Sequence, residues 1–218
     1  MWDERLSSEG SFKITKELGT NVTNRINKLD KNAAAFILQG AIDYFQTGKF
    51  SFSMPGMDKV KYINKSGIGS LDFIGLNNYS HQRVKSRLNP KEFFRFEFYP
   101  DEEMTDMFYP IYPEAIYRSI KRVKDIDVPI IITENGIADK KDDRRNIYIE
   151  RYLYSVSEAI KEGADIRGYY YWSLMDNFEW SEGYEMKFGL YEVDFTTQVR
   201  TLREGSKRYM DIVARFSQ

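Results

Sequence analysis

The amino-acid sequence predicts an α/β protein whose strands alternate with helices as they do in a parallel sheet, amounting to half of a closed (β/α)8 barrel. Three observations predict it. Short apolar runs at Leu71-Asp-Phe-Ile-Gly-Leu-Asn77, Val128-Pro-Ile-Ile-Ile132 and Arg167-Gly-Tyr-Tyr-Tyr-Trp172 read as strands. Segments with apolar residues three and four apart, the period of a helix, separate them. Each run also ends abruptly in polar or aromatic residues: Asn77-Asn-Tyr-Ser80, Thr133-Glu-Asn-Gly136, and the stretch from Ser173 to Tyr184. At the carboxyl rim of a barrel such side chains converge on one cavity. A closed barrel needs eight such units, and the sequence supports three strands, or four if one hides before residue 31.

Taken in order, residues 1–30 are polar, weakly periodic and unassigned. Asn32 caps an amphipathic helix through Phe36, Ile37, Leu38, Ala41, Ile42 and Phe45, which stops at Gly48. Lys49 to Ser70, with Pro55, Gly56, Gly67 and Gly69, reads as a loop holding one short helical piece. Beyond the first strand, residues 80–110 carry Pro90, Pro100 and Pro110 and read as a long irregular segment, of a length that belongs to a site. Pro113 opens a helix to about Lys124 with Ile116, Ile120 and Val123 on one face. The central strand, buried on both faces, follows and exits at Glu134. Asp139 to Arg145 is a charged loop; a helix over about Asn146–Lys161 turns Ile149, Leu153, Val156 and Ile160 inward, and Gly163 closes it. After the third strand come the aromatic, acidic loop, an extended piece over Phe188–Phe195, and a helix from about Leu202 to Phe216.

Composition excludes several classes of function. The 218 residues, 42% hydrophobic, supply a core, and Lys+Arg 32 against Asp+Glu 33 leaves a net charge of −1. No electrostatic footprint for nucleic acid or an anionic membrane follows from that balance. Zero cysteines exclude disulfides and thiolate metal sites and fit a reducing compartment, so a soluble, cytoplasmic protein is expected. No cofactor or metal is expected; the lone His81 reads as structural, with no ligand set at metal spacing. Tyr 16, Phe 15 and Trp 3 make 16% aromatic residues. Flat rings with polar edges suit sugar faces, although a core rich in tyrosine and phenylalanine has the same composition.

Ile131-Ile-Thr-Glu-Asn-Gly136, Asp72-Phe-Ile-Gly-Leu-Asn-Asn-Tyr-Ser80 and Gly168-Tyr-Tyr-Tyr-Trp-Ser-Leu-Met-Asp-Asn-Phe-Glu-Trp180, with Gly183-Tyr184 and Phe188-Gly189, resemble the carboxyl-terminal half of glycoside hydrolase family 1. These are the β-glucosidases and 6-phospho-β-glucosidases, retaining enzymes on a (β/α)8 TIM barrel. The resemblance runs from about Asn32 to Phe216 and implies that residues 31–218 form the barrel from about strand five or six to strand eight, apart from residues 1–30. It implies that Glu134 is the catalytic nucleophile, that Tyr79 hydrogen-bonds it, and that Asn77 stands beside it. It further implies that Glu179 and Trp180 hold the outer hydroxyls of the sugar, that Trp172 floors that subsite, and that Phe188 is a second aromatic wall. The implied ligand is a β-glucoside or related sugar. Without the resemblance, Tyr79 reads as an ordinary strand-end tyrosine, Trp172 as a core residue and Glu179 as a surface acid.

The departures from the family pattern are Asn78 where a tyrosine is usual, Phe108-Tyr109-Pro110 where a tryptophan is common, and Lys187 where an arginine precedes the Phe-Gly pair. The sequence also lacks the Asn-Glu-Pro whose glutamate is the family's acid/base. Retaining hydrolysis needs two carboxyls about 5–5.5 Å apart. Two functions therefore stay open: part of a retaining β-glycosidase completed by an amino-terminal barrel half or by self-association, or a non-catalytic sugar-binding relic or pseudoenzyme.

Overall fold

The computed structural model describes residues 39–52, 58–81, 83–86 and 94–216. Along them lie α1 (Gly40–Thr47), β1 (Lys49–Phe52), β2 (Val60–Ile63), β3 (Ile74–Asn77), β4 (Arg83–Ser86), β5 (Phe94–Glu97), α2 (Glu114–Val123), β6 (Ile130–Asn135), α3 (Arg145–Lys161), β7 (Ile166–Tyr171), β8 (Tyr191–Val193), β9 (Arg200–Leu202) and α4 (Lys207–Phe216). Contacts divide the chain into two units, Met1–Ser70 with Gln82–Phe98, and Leu71–His81 with Tyr99–Gln218.

In the first unit, α1 ends where the sequence says it should. Gly48 takes φ 69° and its N–H bonds the Tyr44 carbonyl at 2.7 Å. A Cβ there would lie 2.7 Å from the Asn64 carbonyl oxygen, so glycine is required twice over. The expected start of this helix at Asn32, and residues 1–30, lie outside the described residues. The loop expected over Lys49–Ser70 instead holds an antiparallel pair, β1 with β2, registered from Lys49↔Ile63 to Phe52↔Val60. The alternation in Lys49-Phe-Ser-Phe52 and Val60-Lys-Tyr62 suits such a pair; Pro55 and Gly56 lie outside the described residues. The short helical piece is present as a 3-10 turn, Lys65–Gly67, capped by Asn64 Oδ1 accepting from the Ser66 N–H at 3.0 Å. The irregular segment expected over 80–110 likewise contains a second antiparallel pair, β4 with β5.

The second unit is built on a parallel sheet ordered β3-β6-β7, with α2 and α3 between successive strands, which is the expected alternation. α2 buries Ala115, Ile116, Ile120 and Val123 and lies against α3. β6 buries Ile130 and Ile132 completely, whereas Ile131 on the opposite face is only half-buried, so the strand is covered on one side rather than both. It also runs on to Asn135, which makes Glu134 part of the strand rather than of its exit. β3 starts at Ile74, later than the sequence suggested, and alternates in burial around Leu76, with Phe73 left 51% exposed. α3 begins at Arg145, and its inward stripe is Tyr148, Ile149, Tyr152, Ser155, Val156 and Ala159. Ile160, expected inside, is 48% exposed, because the 3.6-residue period carries it past the edge of that stripe. Tyr171, Ile149 and Leu190 form a core joined by Tyr169, Tyr209 and Ile212. The extended piece after Phe188 is β8, paired with an unforeseen β9, so α4 starts at Lys207. Among the described residues no helix is long and apolar enough to cross a membrane.

Candidate active site

The register of the sheet slips at its carboxyl rim, between Leu76 and Asn77 on β3 and between Ile132 and Asn135 on β6. Irregularities of this kind re-aim side chains at the end of a strand. The slip sets Asn77 opposite Glu134, and the Asn78 N–H donates to the Glu134 carbonyl at 3.0 Å. Tyr79 is thereby delivered over the strand end, where its hydroxyl donates to Glu134 Oε2 at 2.7 Å. Asn77 Oδ1 accepts from Thr133 Oγ1 at 2.5 Å, beside that pair. Burial pushes the Tyr79 phenol far above its ordinary pKa, and the hydrogen bond to Glu134 pushes it further, so it remains a donor. Phe188, 4% exposed, meets the Tyr79 ring edge-on at 6.1 Å, and Tyr109 flanks the same ring at 6.2 Å.

The other residues singled out come from the end of β7. Gly136 makes this possible: its Cα lies so close to β7 that a Cβ would sit 1.8 Å from the Trp172 carbonyl oxygen. The Trp172 N–H bonds the Asn135 carbonyl at 2.9 Å, and the Trp172–Ser173 peptide is cis. Trp172 Nε1 points at Glu179 Oε2 at 3.4 Å, joining indole and carboxylate across the aromatic loop. Trp180 is placed apart from them, 81% exposed, at the start of a 3-10 turn. The structure thus brings Glu134, Tyr79 and Phe188 into one group and Trp172 with Glu179 into another, while Asn77 stands opposite Glu134 in register with its side chain bonded to Thr133.

Residues that sequence reasoning passed over hold this rim together. Arg145, 0% exposed, donates to the carbonyls of Ile137, Asp139, Lys187 and Phe188, to the Tyr171 hydroxyl and to Asp142. It ties the segments that follow β6 and precede β8. Asp176, 2% exposed, accepts from the N–H of Gly189 at 2.9 Å and from Arg203 at 2.7 Å, fixing the aromatic loop to the segment that carries Phe188. In sequence Arg145 reads as a member of a charged loop, since no motif separates a buried arginine from a solvated one, and Asp176 stands inside the Gly168–Trp180 motif with nothing local to mark it as buried.

A family model described as glycosyl hydrolase family 1 matches residues 51–217. A β-galactosidase of Pyrococcus woesei is 43% identical over 115 residues, covering 52% of this chain and 22% of its own length. A β-glucosidase A of Acetivibrio thermocellus is 32% identical over 192 residues, covering 80% of this chain and 41% of its own. Among solved structures, a β-glycosidase from Pyrococcus horikoshii superposes with a TM-score of 0.73 at 34% identity, covering 88% of this chain and 44% of that one. The chain spans less than half the length of these relatives.

Proposed function

Since the chain belongs to glycosyl hydrolase family 1, we propose that it is the nucleophile-bearing, sugar-binding part of a retaining β-glycosidase, acting on a β-glucoside or a related β-glycoside. The observation that carries this is the 2.7 Å bond from Tyr79 to Glu134. A carboxylate held by a phenol at a barrel rim is poised to attack an anomeric carbon. Its oxygen forms the bond to C1 as the bond from C1 to the leaving oxygen breaks, and that oxygen takes a proton from an acid. Water then attacks C1, gives a proton back to that now-deprotonated acid, and displaces Glu134 as carboxylate. Glu179 accepts hydrogen bonds from sugar hydroxyls, Trp172 presents its ring to the sugar face, and exposed Trp180 is available to close over it. The fold we assign to residues 31–218 is the carboxyl-terminal part of the family's barrel, and the acid/base carboxyl is supplied by an amino-terminal half or by another polypeptide.

A second reading rests on the absence of Asn-Glu-Pro from the sequence: a sugar-binding protein that cannot complete hydrolysis. An activated 2-fluoro glycoside tests the role of Glu134, because it slows the release of a covalent intermediate and its leaving group needs no acid, and alkyl glycoside hydrolysis with an added amino-terminal half then separates the two. The first reading expects a sugar adduct on Glu134, found by peptide mapping, and none in Glu134→Gln, which keeps shape but loses charge. A label on Glu179, or one that still forms in Glu134→Gln, would reverse the roles. Binding without any adduct would support the second reading.

A further inference from the structure

Behind the Tyr79–Glu134 pair runs a buried chain of hydroxyls and amides. Tyr148 and Tyr152, one turn apart on α3, are each 0% exposed and stack with centroids 3.9 Å apart and planes at 19°. Both hydroxyls converge on one atom, the carbonyl oxygen of Tyr79, Tyr152 at 2.7 Å and Tyr148 at 3.2 Å. A backbone N–H and an amide occupy the two hydroxyl oxygens as donors. The Tyr112 N–H donates to the Tyr152 oxygen at 3.1 Å, and Asn135 Nδ2 donates to the Tyr148 oxygen at 2.9 Å. Each hydroxyl is left with its own proton for the Tyr79 carbonyl, whose two lone pairs can take both. Asn135, 0% exposed, is oriented in turn: Nδ2 also donates to the Asn78 carbonyl at 2.6 Å, and Oδ1 accepts from Tyr169 at 2.5 Å. Turning the amide over would set its oxygen against the Asn78 carbonyl. Asn135 directly follows Glu134 and Asn78 directly precedes Tyr79, so the chain of bonds joins the backbones on either side of the pair.

We infer that Tyr148, oriented through Asn135, and Tyr152, oriented through the Tyr112 N–H, are positioning residues that clamp the backbone of Tyr79 and thereby keep its phenol on Glu134. A side-chain hydrogen bond at the end of a strand is only as directional as the backbone beneath it, and misplacement by about 1 Å can cost a hundredfold in rate. Burial raises the pKa of both tyrosines, so the clamp donates as neutral phenol at ordinary pH. The inference deepens the reading of Glu134 as nucleophile and rests on it for its catalytic meaning; the clamp itself involves no sugar.

The test uses the 218-residue chain isotope-labelled at tyrosine Cζ, with the Tyr79 resonance assigned by its loss in Tyr79→Phe. A phenol donating to a carboxylate resonates apart from one donating to a neutral amide, so Glu134→Gln marks the position of the broken pair. In Tyr148→Phe/Tyr152→Phe the Tyr79 resonance is expected to move most of the way to that position, with a smaller move in each single variant. A folded double variant whose Tyr79 resonance stays in place overturns the inference. If the double variant does not fold, an unmoved resonance in both single variants overturns it equally. Tyrosines serving only to fill the core would lower the unfolding midpoint without moving Tyr79. Covalent labelling of Glu134 is read in a separate experiment, so either result can fail while the other stands.

Discussion

A phenol that donates to a carboxylate fixes its direction and favours its charge, and both matter for a nucleophile. Tyr79→Phe keeps the ring against Phe188 and removes only the bond at 2.7 Å. A hydrogen bond to a charged group contributes about 1.5–3 kcal/mol, so labelling of Glu134 should slow by roughly ten- to a hundredfold. The apparent binding constant for the same glycoside should hold steady, because Glu179 and Trp172 are untouched. The measurement is the inactivation rate against glycoside concentration; an equal loss in both constants would place Tyr79 in binding instead. At this scale the pairings of Tyr79 with Glu134 and of Trp172 with Glu179 lie within short motifs, and their roles in turnover are the proposal the labelling tests. Arg145 was not legible in the sequence, since a charge between Asp142 and Asn146 reads as solvated whether or not carbonyls surround it. Asn135 stood inside a quoted motif, yet its partners Asn78, Tyr148 and Tyr169 are distant in sequence and only the fold assembles them.

Elements declare themselves in sequence by period, and their ends by caps; where a cap is not local, the end is misread. The sequence places the start of α3 one residue late for this reason. Its amino terminus is held by Asp139, whose Oδ2 accepts from the N–H groups of both Arg144 and Arg145 at 2.9 Å, from several residues upstream. The carboxylate also meets the Arg144 guanidinium at 3.0 Å. Burial works against its charge, but the bonds from Arg144 outweigh burial and hold Asp139 below the ordinary carboxylate range. The sign follows. A carboxylate with a depressed folded pKa contributes stability that is complete above its unfolded value, about pH 3.9, and is lost as pH falls through the lower folded value. Urea midpoints taken from pH 7 downward should therefore drop less steeply below about pH 4 in Asp139→Asn than in the parent chain. At pH 7 that variant should already be less stable, by about 1–2 kcal/mol if the cap dominates. Parallel curves would show that other carboxylates carry the acid loss. The antiparallel pairs β1/β2 and β4/β5 escape a sequence reading because each strand is only four residues long and proline nearby favours a loop reading.

At the scale of the whole molecule, the described residues hold three parallel strands with helices between them, while the proposed chemistry needs a second carboxyl that no Asn-Glu-Pro in the sequence provides. Phe73, just before β3, and Tyr170 on β7 are left 51% and 63% exposed, apolar surface of the kind that draws a partner. As the 218-residue polypeptide, the protein is expected to self-associate in sedimentation and to bind an apolar dye; a dye-silent monomer that unfolds sharply would count against a need for a partner half. The division of labour between the two carboxyls gives the last prediction. An acid lowers the barrier only when the departing oxygen is too basic to leave as an anion, and it contributes about 10²–10⁴-fold where it acts. A nitrophenolate leaves unaided and an alkoxide does not. The chain alone should therefore form the Glu134 adduct from an activated aryl glucoside, while cellobiose and methyl glucoside go uncleaved over the same hours. Adding a polypeptide with the amino-terminal half of the barrel should raise alkyl glycoside cleavage far more than aryl glycoside cleavage. If the unaided chain cleaved both at similar rates, it would hold its own acid, and the search would turn to a carboxyl about 5 Å from Glu134. If neither substrate formed an adduct even with the added half, Glu134 would be a sugar ligand and the binding reading would replace the enzymatic one.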